Sequence, residues 1–404
     1  MNVLTVGTFE DAKEIYRHKD FKQALYDAGE VVMDGVLVNL HGDEHRARRR
    51  LENRLFRRET LVHYERDLFP KVIEETLAPH VADGHGELVE LSHQLMMNLA
   101  ALNAGVDRPL RTKAETENLY AFMMKFIEGA TLAHTTRDPQ EVTREVEGAK
   151  QEFNRQFLVP SIRRRQDLLE RAKSDQSVEL PKDILTELLR NEDSLPLPDE
   201  IILKEIAFFL LAGAHTSATA FVRTIDNLFT WLEKHPEDRE LLRSDKSFVQ
   251  RAVFETIRLN PSSPIAMRRA TTDITLKSGT VVPKDSLVTV DLMSVNRDPD
   301  VFGGTAAEFN PHARSTSQTL PRGGCPSATE CTPASAKNSL LGCRNAPSKP
   351  QSSNTDSPRW QSRRCLTATW PLIQVSLLGW TRPRSARTGA RITFVLVIDQ
   401  SRGG

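Results

Sequence analysis

Four groups of side chains in this 404-residue chain have types and spacings that could do chemistry. The first is Leu211-Ala212-Gly213-Ala214-His215-Thr216-Ser217, in the middle of a long, mostly apolar stretch over residues 198–231. A glycine, a histidine and two hydroxyl residues are costly or neutral in a helix interior. Gly213 admits close approach to the backbone, and Thr216 can bond back to a carbonyl and bend or open the turn. Two readings stand side by side: a satisfied polar kink in a core helix, or a place where a small ligand meets a hydroxyl and an imidazole. The second group is Glu255 and Arg258, three apart on one helix face. Such a pair is ordinarily a surface ion pair, but Val253, Phe254 and Ile257 beside it favour a buried, structural one. The third is cationic. His45 and Arg49, four apart within His45-Arg46-Ala47-Arg48-Arg49-Arg50, could clamp one anionic group, and Arg268 lies in the segment between Pro264 and Asp273. The fourth is Cys325, Cys331, Cys343 and Cys365, whose spacings match no zinc site. His41 and His45 form an HxxxH pair that lacks a third ligand.

The elements that must position these groups are mainly helical. Residues 198–231 are apolar on most faces yet interrupted by charge, the pattern of a buried central helix and not of a membrane span. Thr8 can cap a first helix through Phe9, Ala12, Ile15 and Tyr16. Residues 29–40 read as a Gly- and Val-rich loop, 60–81 as an amphipathic helix, and 88–91 as a short extended piece before a helix capped by Ser92. Long helices are expected over 112–132 and 141–173, with a Pro-containing connector at 176–198. Pro236 opens a short helix, and a helix over 247–259 ends before Pro261. From Asp273 the apolar residues alternate around Ser278-Gly279, predicting a hairpin or small sheet. The fold class is therefore mainly α with a minor β region.

Balanced totals of 54 basic and 54 acidic residues hide a split. Residues 313–404 hold 13 Lys/Arg against 3 Asp/Glu, a net charge of +10, so residues 1–312 carry −10. All four cysteines and three of the four tryptophans also fall after residue 313. A break in every statistic at one point implies two unrelated segments, 1–312 and 313–404. The start has no basic n-region followed by an apolar h-region, and the cysteine-free body suits a reducing, cytoplasmic compartment.

In order and spacing, the AGxxT helix, ExxR, Arg268 before the hairpin, Asn296-Arg297-Asp298-Pro299 and Phe309-Asn310-Pro311 resemble the cytochrome P450 superfamily, of soluble bacterial type, over roughly residues 5–312. The resemblance implies a haem-thiolate monooxygenase holding haem b, fed by a ferredoxin and ferredoxin reductase-type electron donor. It would use dioxygen to oxidise a small apolar or amphipathic organic substrate. It further implies that His45, Arg49 and Arg268 hold the haem propionates, and that Ala212 and Gly213 line the dioxygen groove. Thr216 would hydrogen-bond dioxygen and relay protons, and Glu255 and Arg258 would lock the core beneath the haem. His215 stands where many members carry an acid. The leading strands of the family look short or absent. Residues 28–40 and 133–140 and one side of the central helix would face substrate.

The family also needs a cysteine thiolate in a loop F-G-x-G-x-H-x-C-x-G soon after Phe-Asn-Pro, because the thiolate pushes electron density onto iron. No such loop is printed. The genetic code supplies it one base away. Codons built from the third base of one residue and the first two of the next allow Pro at 326, Phe at 327 and Gly at 328. They allow Asp or Asn at 329, Gly at 330, Met or Val at 331, His or Tyr at 332 and Ala at 333. Cys is allowed at Ala334, Val, Leu or Ile at Ser335, and Gly at Ala336. The same shift permits Arg at Ala313, completing Phe-Asn-Pro-His-Arg. The expectation is an apparent frameshift after about His312, which leaves Ala334 where the axial ligand belongs and the printed chain inactive. Two other readings stay open: a non-catalytic helical ligand-binding protein or pseudogene product, and a nucleic-acid binder using HRARRR and the basic tail. The last lacks stacking aromatics and a nucleic-acid fold, so the expectation is no nucleic acid.

Overall fold

A computed structural model of the chain describes residues 3–313 and 391–392. The N-terminal part alternates short strands and helices: β1 (Val3–Val6), α1 (Phe9–Arg17), β2 (Phe21–Gln23), α2 (Glu30–Met33), a 3-10 turn at Leu37–Asn39, and α3 (Gly42–Glu52). Thr8 caps α1 by accepting from the amide of Asp11, as its sequence position predicts. The stretch read as a loop at 29–40 instead contains α2 and the 3-10 turn. There Gly29 packs directly against Ala130, leaving no room for a side chain.

Next come α4 (Arg58–His63), α5 (Phe69–Ala82), β3 (Gly86–Glu87), α6 (Leu88–Ala104), α7 (Lys113–Ala130), α8 (Pro139–Phe153), α9 (Val159–Ser174) and α10 (Ile184–Arg190). Two π-helical turns, Tyr64–Leu68 and Asn154–Leu158, join α4 to α5 and α8 to α9. Each is followed within two residues by a proline, Pro70 or Pro160. A proline offers no N–H to the carbonyl four residues back and its ring crowds that carbonyl, so the helix widens by one residue instead of breaking. The piece predicted as extended at 88–91 is the first turn of α6. Glu87, not Ser92, caps it by accepting from the amide of Glu90, while the Ser92 hydroxyl donates to Val89 O. Leu88, Leu91 and Leu95 are all buried, a helical spacing that prevails over the short extended reading.

The long α11 (Asp199–Lys234) forms the axis of the body and packs most extensively on α6. By length and composition it could cross a membrane, but 72% of its most apolar window is buried inside the protein. It runs as one continuous α-helix from Asp199 to Lys234, through the turn that carries Gly213 and Thr216. After it follow α12 (Leu241–Ser244), α13 (Lys246–Leu259), β4 (Ile265–Ala270), β5 (Ile274–Thr275), β6 (Val281–Val282), β7 (Leu287–Asp291), α14 (Leu292–Val295), α15 (Pro299–Phe302) and β8 (Arg391–Ile392).

The hairpin foreseen after Asp273 is β5 paired with β6. β7 leaves it to join a four-stranded sheet in the order β1-β7-β4-β2, with β1 parallel to β7 and the other pairs antiparallel. β1 and β2 are therefore the short leading strands, present where the sequence suggested they were short or absent. β3 pairs with β8. The main core gathers α2, α6, α7, α8, α10 and the first half of α11, and a second core lies under the four-stranded sheet.

Candidate active site

The central turn of α11 is held closed by its own threonine. The Thr216 hydroxyl donates to Ala212 O at 2.6 Å, the back-bond its position allows, and the helix stays regular. Thr216 O in turn accepts from the Ser262 hydroxyl at 3.0 Å, which ties α11 to the segment before β4. Gly213 does admit a close approach, and what approaches is α6: a Cβ at Gly213 would stand 3.4 Å from Ala100 Cβ. Ala212 is buried beside it.

His215 is half-buried, and its Nδ1 has no hydrogen-bond partner among the described residues. Burial holds its imidazole below the ordinary histidine range, so the neutral ring prevails at neutral pH. His93 on α6 is lowered as well, first by burial and then by His215, and it stacks on Tyr120 of α7 with ring centroids 4.8 Å apart. A line of polar rings, His215, His93 and Tyr120, thus crosses three helices. The sequence reading found only the first of them; the signal for His93 was a histidine within the apolar run of α6.

Glu255 and Arg258 form the buried pair that the neighbouring apolar residues suggested. Arg258 donates from Nε and Nη2 to the two Glu255 oxygens at 2.9 and 2.6 Å. It also donates to Asn296 O at 2.7 Å, Ala306 O at 2.6 Å and Glu308 O at 3.4 Å, and it lies 4.8 Å from the Phe302 ring centroid. Glu255 accepts from the amide of Asn310 at 3.3 Å. Two further ties fasten the end of this segment: Arg251 donates to Pro311 O, and His312 pairs with Asp238, which also accepts from the indole of Trp231. Residues 296–312 are thereby pinned onto α13 and its neighbours.

His45 and Arg49 lie one turn apart on α3, both half-buried. Arg268 is buried on β4, where it donates to Gln23 Oε1 and Met267 O and lies 4.8 Å from the Tyr16 ring centroid. The 3-10 turn at 37–39 touches both α3 and β2, and β2 carries Gln23 opposite Arg268, so one connected path links the three cations. Sequence reasoning missed what holds that path to α11. Glu205, fully buried, accepts from Arg48 Nη1 at 2.8 Å and from the amide of Leu37 at 3.0 Å, and Glu52 lies fully buried beside them. The legible signal was a lone carboxylate inside the apolar run 202–211, which burial obliges to find a cation.

Among the described residues no three His, Cys, Asp or Glu side chains gather as a metal site. The donors present suit the rim of a haem: two basic residues on α3 and a third on β4 can meet paired carboxylates. They do not supply its axis. The four cysteines and Ala334 lie outside the described residues.

The match to known proteins decides the family. The cytochrome P450 family model matches residues 1–316. The chain belongs to the cytochrome P450 family. Pulcherriminic acid synthase of Bacillus subtilis is 26% identical to this P450 over 302 residues, 74% of the chain and 68% of that enzyme. A cytochrome P450 133B1 of Xylella fastidiosa is 35% identical over 121 residues, 30% of the chain and 29% of that protein. In fold, a cyanobacterial P450 solved with retinoic acid bound gives a TM-score of 0.62 at 17% identity, covering 84% of this chain and 81% of its own. P450BioI, solved with an acyl carrier protein ligated to hexadec-9Z-enoic acid, gives 0.57 at 20% identity, covering 83% of each chain. The mainly α fold with small sheets is thus the P450 fold, and the family makes the chain a monooxygenase by descent.

Proposed function

We propose that residues 1–312 are the body of a bacterial-type, cytoplasmic P450 monooxygenase for a small apolar or amphipathic organic substrate, and that residues 313–404 are read out of frame. The observation that carries this is the pinning of 296–312 by Arg258, Glu255, Arg251 and Asp238, directly before the point in the sequence where charge, cysteine and tryptophan content all change. The one-base shift that restores a haem loop begins at the same place.

In this reading His45 and Arg49 on α3 and Arg268 on β4 hold the haem propionates. Haem, when bound through a thiolate, supplies the activation of dioxygen with two electrons from a ferredoxin and ferredoxin reductase-type donor. The chain's own residues do the rest. Ala212 and Gly213 bring bare backbone to the groove, so nothing but small groups stands there. Thr216 keeps its proton on Ala212 O when idle and can turn the hydroxyl to a ligand at the cost of that one bond. His215, neutral and with Nδ1 unpartnered among the described residues, would accept and return a proton beside Thr216. Glu255 and Arg258 fix the segment from which the ligand loop must spring.

The printed chain carries Ala334 where the axial cysteine belongs, so it forms no haem-thiolate centre. Haem titration followed by a carbon monoxide spectrum of the reduced protein tests this. The printed chain should bind haem without the thiolate band. A thiolate band from the printed chain would falsify the assignment, and no change in the haem spectrum would favour a haem-free ligand-binding protein.

A further inference from the structure

Arg48, Glu52 and Glu205 are charged groups that the proposed chemistry leaves unused, and all three are buried, Glu52 and Glu205 to 0% exposure and Arg48 to 4%. Three ionisable groups inside an apolar core are retained only at a cost, since burying an ion pair rarely stabilises more than apolar residues of the same size. Their geometry indicates what the cluster does. The Glu205 carboxylate on α11 accepts from Arg48 Nη1 at 2.8 Å and from Leu37 N at 3.0 and 3.4 Å. One carboxylate therefore ties two separate elements to the central helix: α3, and the 3-10 turn before it. Arg48 immediately precedes Arg49, and the 3-10 turn touches β2, whose Gln23 holds Arg268. Both Glu52 oxygens and Arg48 Nε lack hydrogen-bond partners among the described residues, so the cluster is not arranged for maximum stability.

We propose that Glu205, Arg48 and Glu52 are positioning residues that set α3 and the 3-10 turn against α11, and so fix where His45, Arg49 and Arg268 present their charge. The proposal rests on the reading of those three cations as haem-propionate partners, and its structural half can be tested apart from it. Around Glu205 the facing groups are Arg48 and Glu52 from α3 and the amide of Leu37; Arg49 adds positive charge near Glu52.

The test uses the full chain, Glu205→Gln, and the double variant Arg48→Leu with Glu205→Leu. Hydrogen exchange is read over residues 37–52, and haem affinity by titration with haemin. Glu205→Gln should speed exchange at 37–52 while α6 and the second half of α11 keep their protection. The double variant removes Arg48 and Glu205 together, so neither is left buried without the other. Glu52, which burial already holds toward its neutral acid, adds no new charge. The variant should fold with a melting temperature near that of the natural chain. It should still show fast exchange at 37–52, because Leu37 N has lost its acceptor. Haem affinity should fall about 10-fold or more in both variants, the size of effect that outer-shell partners have on bound groups. Unchanged exchange at 37–52 in Glu205→Gln overturns the proposal whatever haem does. Natural-like haem affinity in the double variant, with a natural chain that does bind haem, overturns it too, because the cluster then serves stability alone. A natural chain that fails to bind haemin removes the propionate reading, and the exchange result alone then decides the positioning claim.

Discussion

Replacing Arg258 by Met should be the most damaging single change in the described body. The guanidinium makes five hydrogen bonds, two to Glu255 and three to the carbonyls of Asn296, Ala306 and Glu308. Methionine fills the volume and satisfies none of them. Removing one partner of a buried pair costs about 3–5 kcal/mol, because Glu255 is left as a buried charge. The three carbonyls lose their partners as well, but such losses do not add, so about 4 kcal/mol is the working figure. Against a total stability of about 5–15 kcal/mol this is a large fraction, equivalent to a fall of about 6 °C in melting midpoint. The loss should also be local. Hydrogen exchange at residues 296–312 should accelerate more than exchange in α6. Arg258→Lys should rescue little, since an ammonium cannot reproduce the two-pronged contact with Glu255 while reaching the carbonyls. A midpoint within about 2 °C of the natural chain, with 296–312 still protected, would refute the claim that this pair pins the segment.

Other outcomes follow from the same structure. Burial raises Glu205 to about 7 despite Arg48 and Leu37 N, and it raises Glu52 too, with Glu205 adding to it. At these two sites the folded state holds more protons than the unfolded chain above the ordinary carboxylate range, so their contribution to stability is greatest at low pH and is lost as pH rises through about 7. For Glu205 the loss is on the order of 3 kcal/mol, and Glu205→Gln should flatten the slope of urea midpoints between pH 5 and pH 8. Gly213→Ala should be tolerated, with Ala100 at ordinary contact distance, whereas Gly213→Val should cost about 1–3 kcal/mol by overpacking α6 against α11, read by thermal melting. Thr216→Val should cost only about 1 kcal/mol in stability, because one back-bond to Ala212 O is lost and the helix stays regular. Alanine at both His45 and Arg49 should weaken haemin binding, read by titration of the folded variant beside the unsubstituted chain.

Much of this was legible in the sequence, for identifiable reasons. The central helix declared itself by length and apolarity, and the Glu255–Arg258 pair by its apolar flanks. The hairpin after Asp273 followed from alternation around Ser278-Gly279. The short strands β1, β2 and β4 escaped because their partners are remote: Val3 pairs with Leu287, and Gln23 with Arg268. No local pattern encodes such pairings. The start of α6 was misread because four residues are too few to tell a strand from a helical turn. Thr216 makes the back-bond its position allowed, to Ala212 O, and α11 continues through it as α-helix. The Arg48–Glu205 contact spans 157 residues, so only the anomaly of a carboxylate in an apolar run hinted at it.

The central claim is that a P450 body precedes a haem-ligand loop hidden one base out of frame. It is tested most directly by inserting one base at the His312 codon, expressing both versions, and recording carbon monoxide difference spectra of the reduced, haem-loaded proteins. The account predicts the thiolate band from the reframed protein and none from the printed chain. A thiolate band from the printed chain, or its absence from a folded, haem-bound reframed protein, would contradict it.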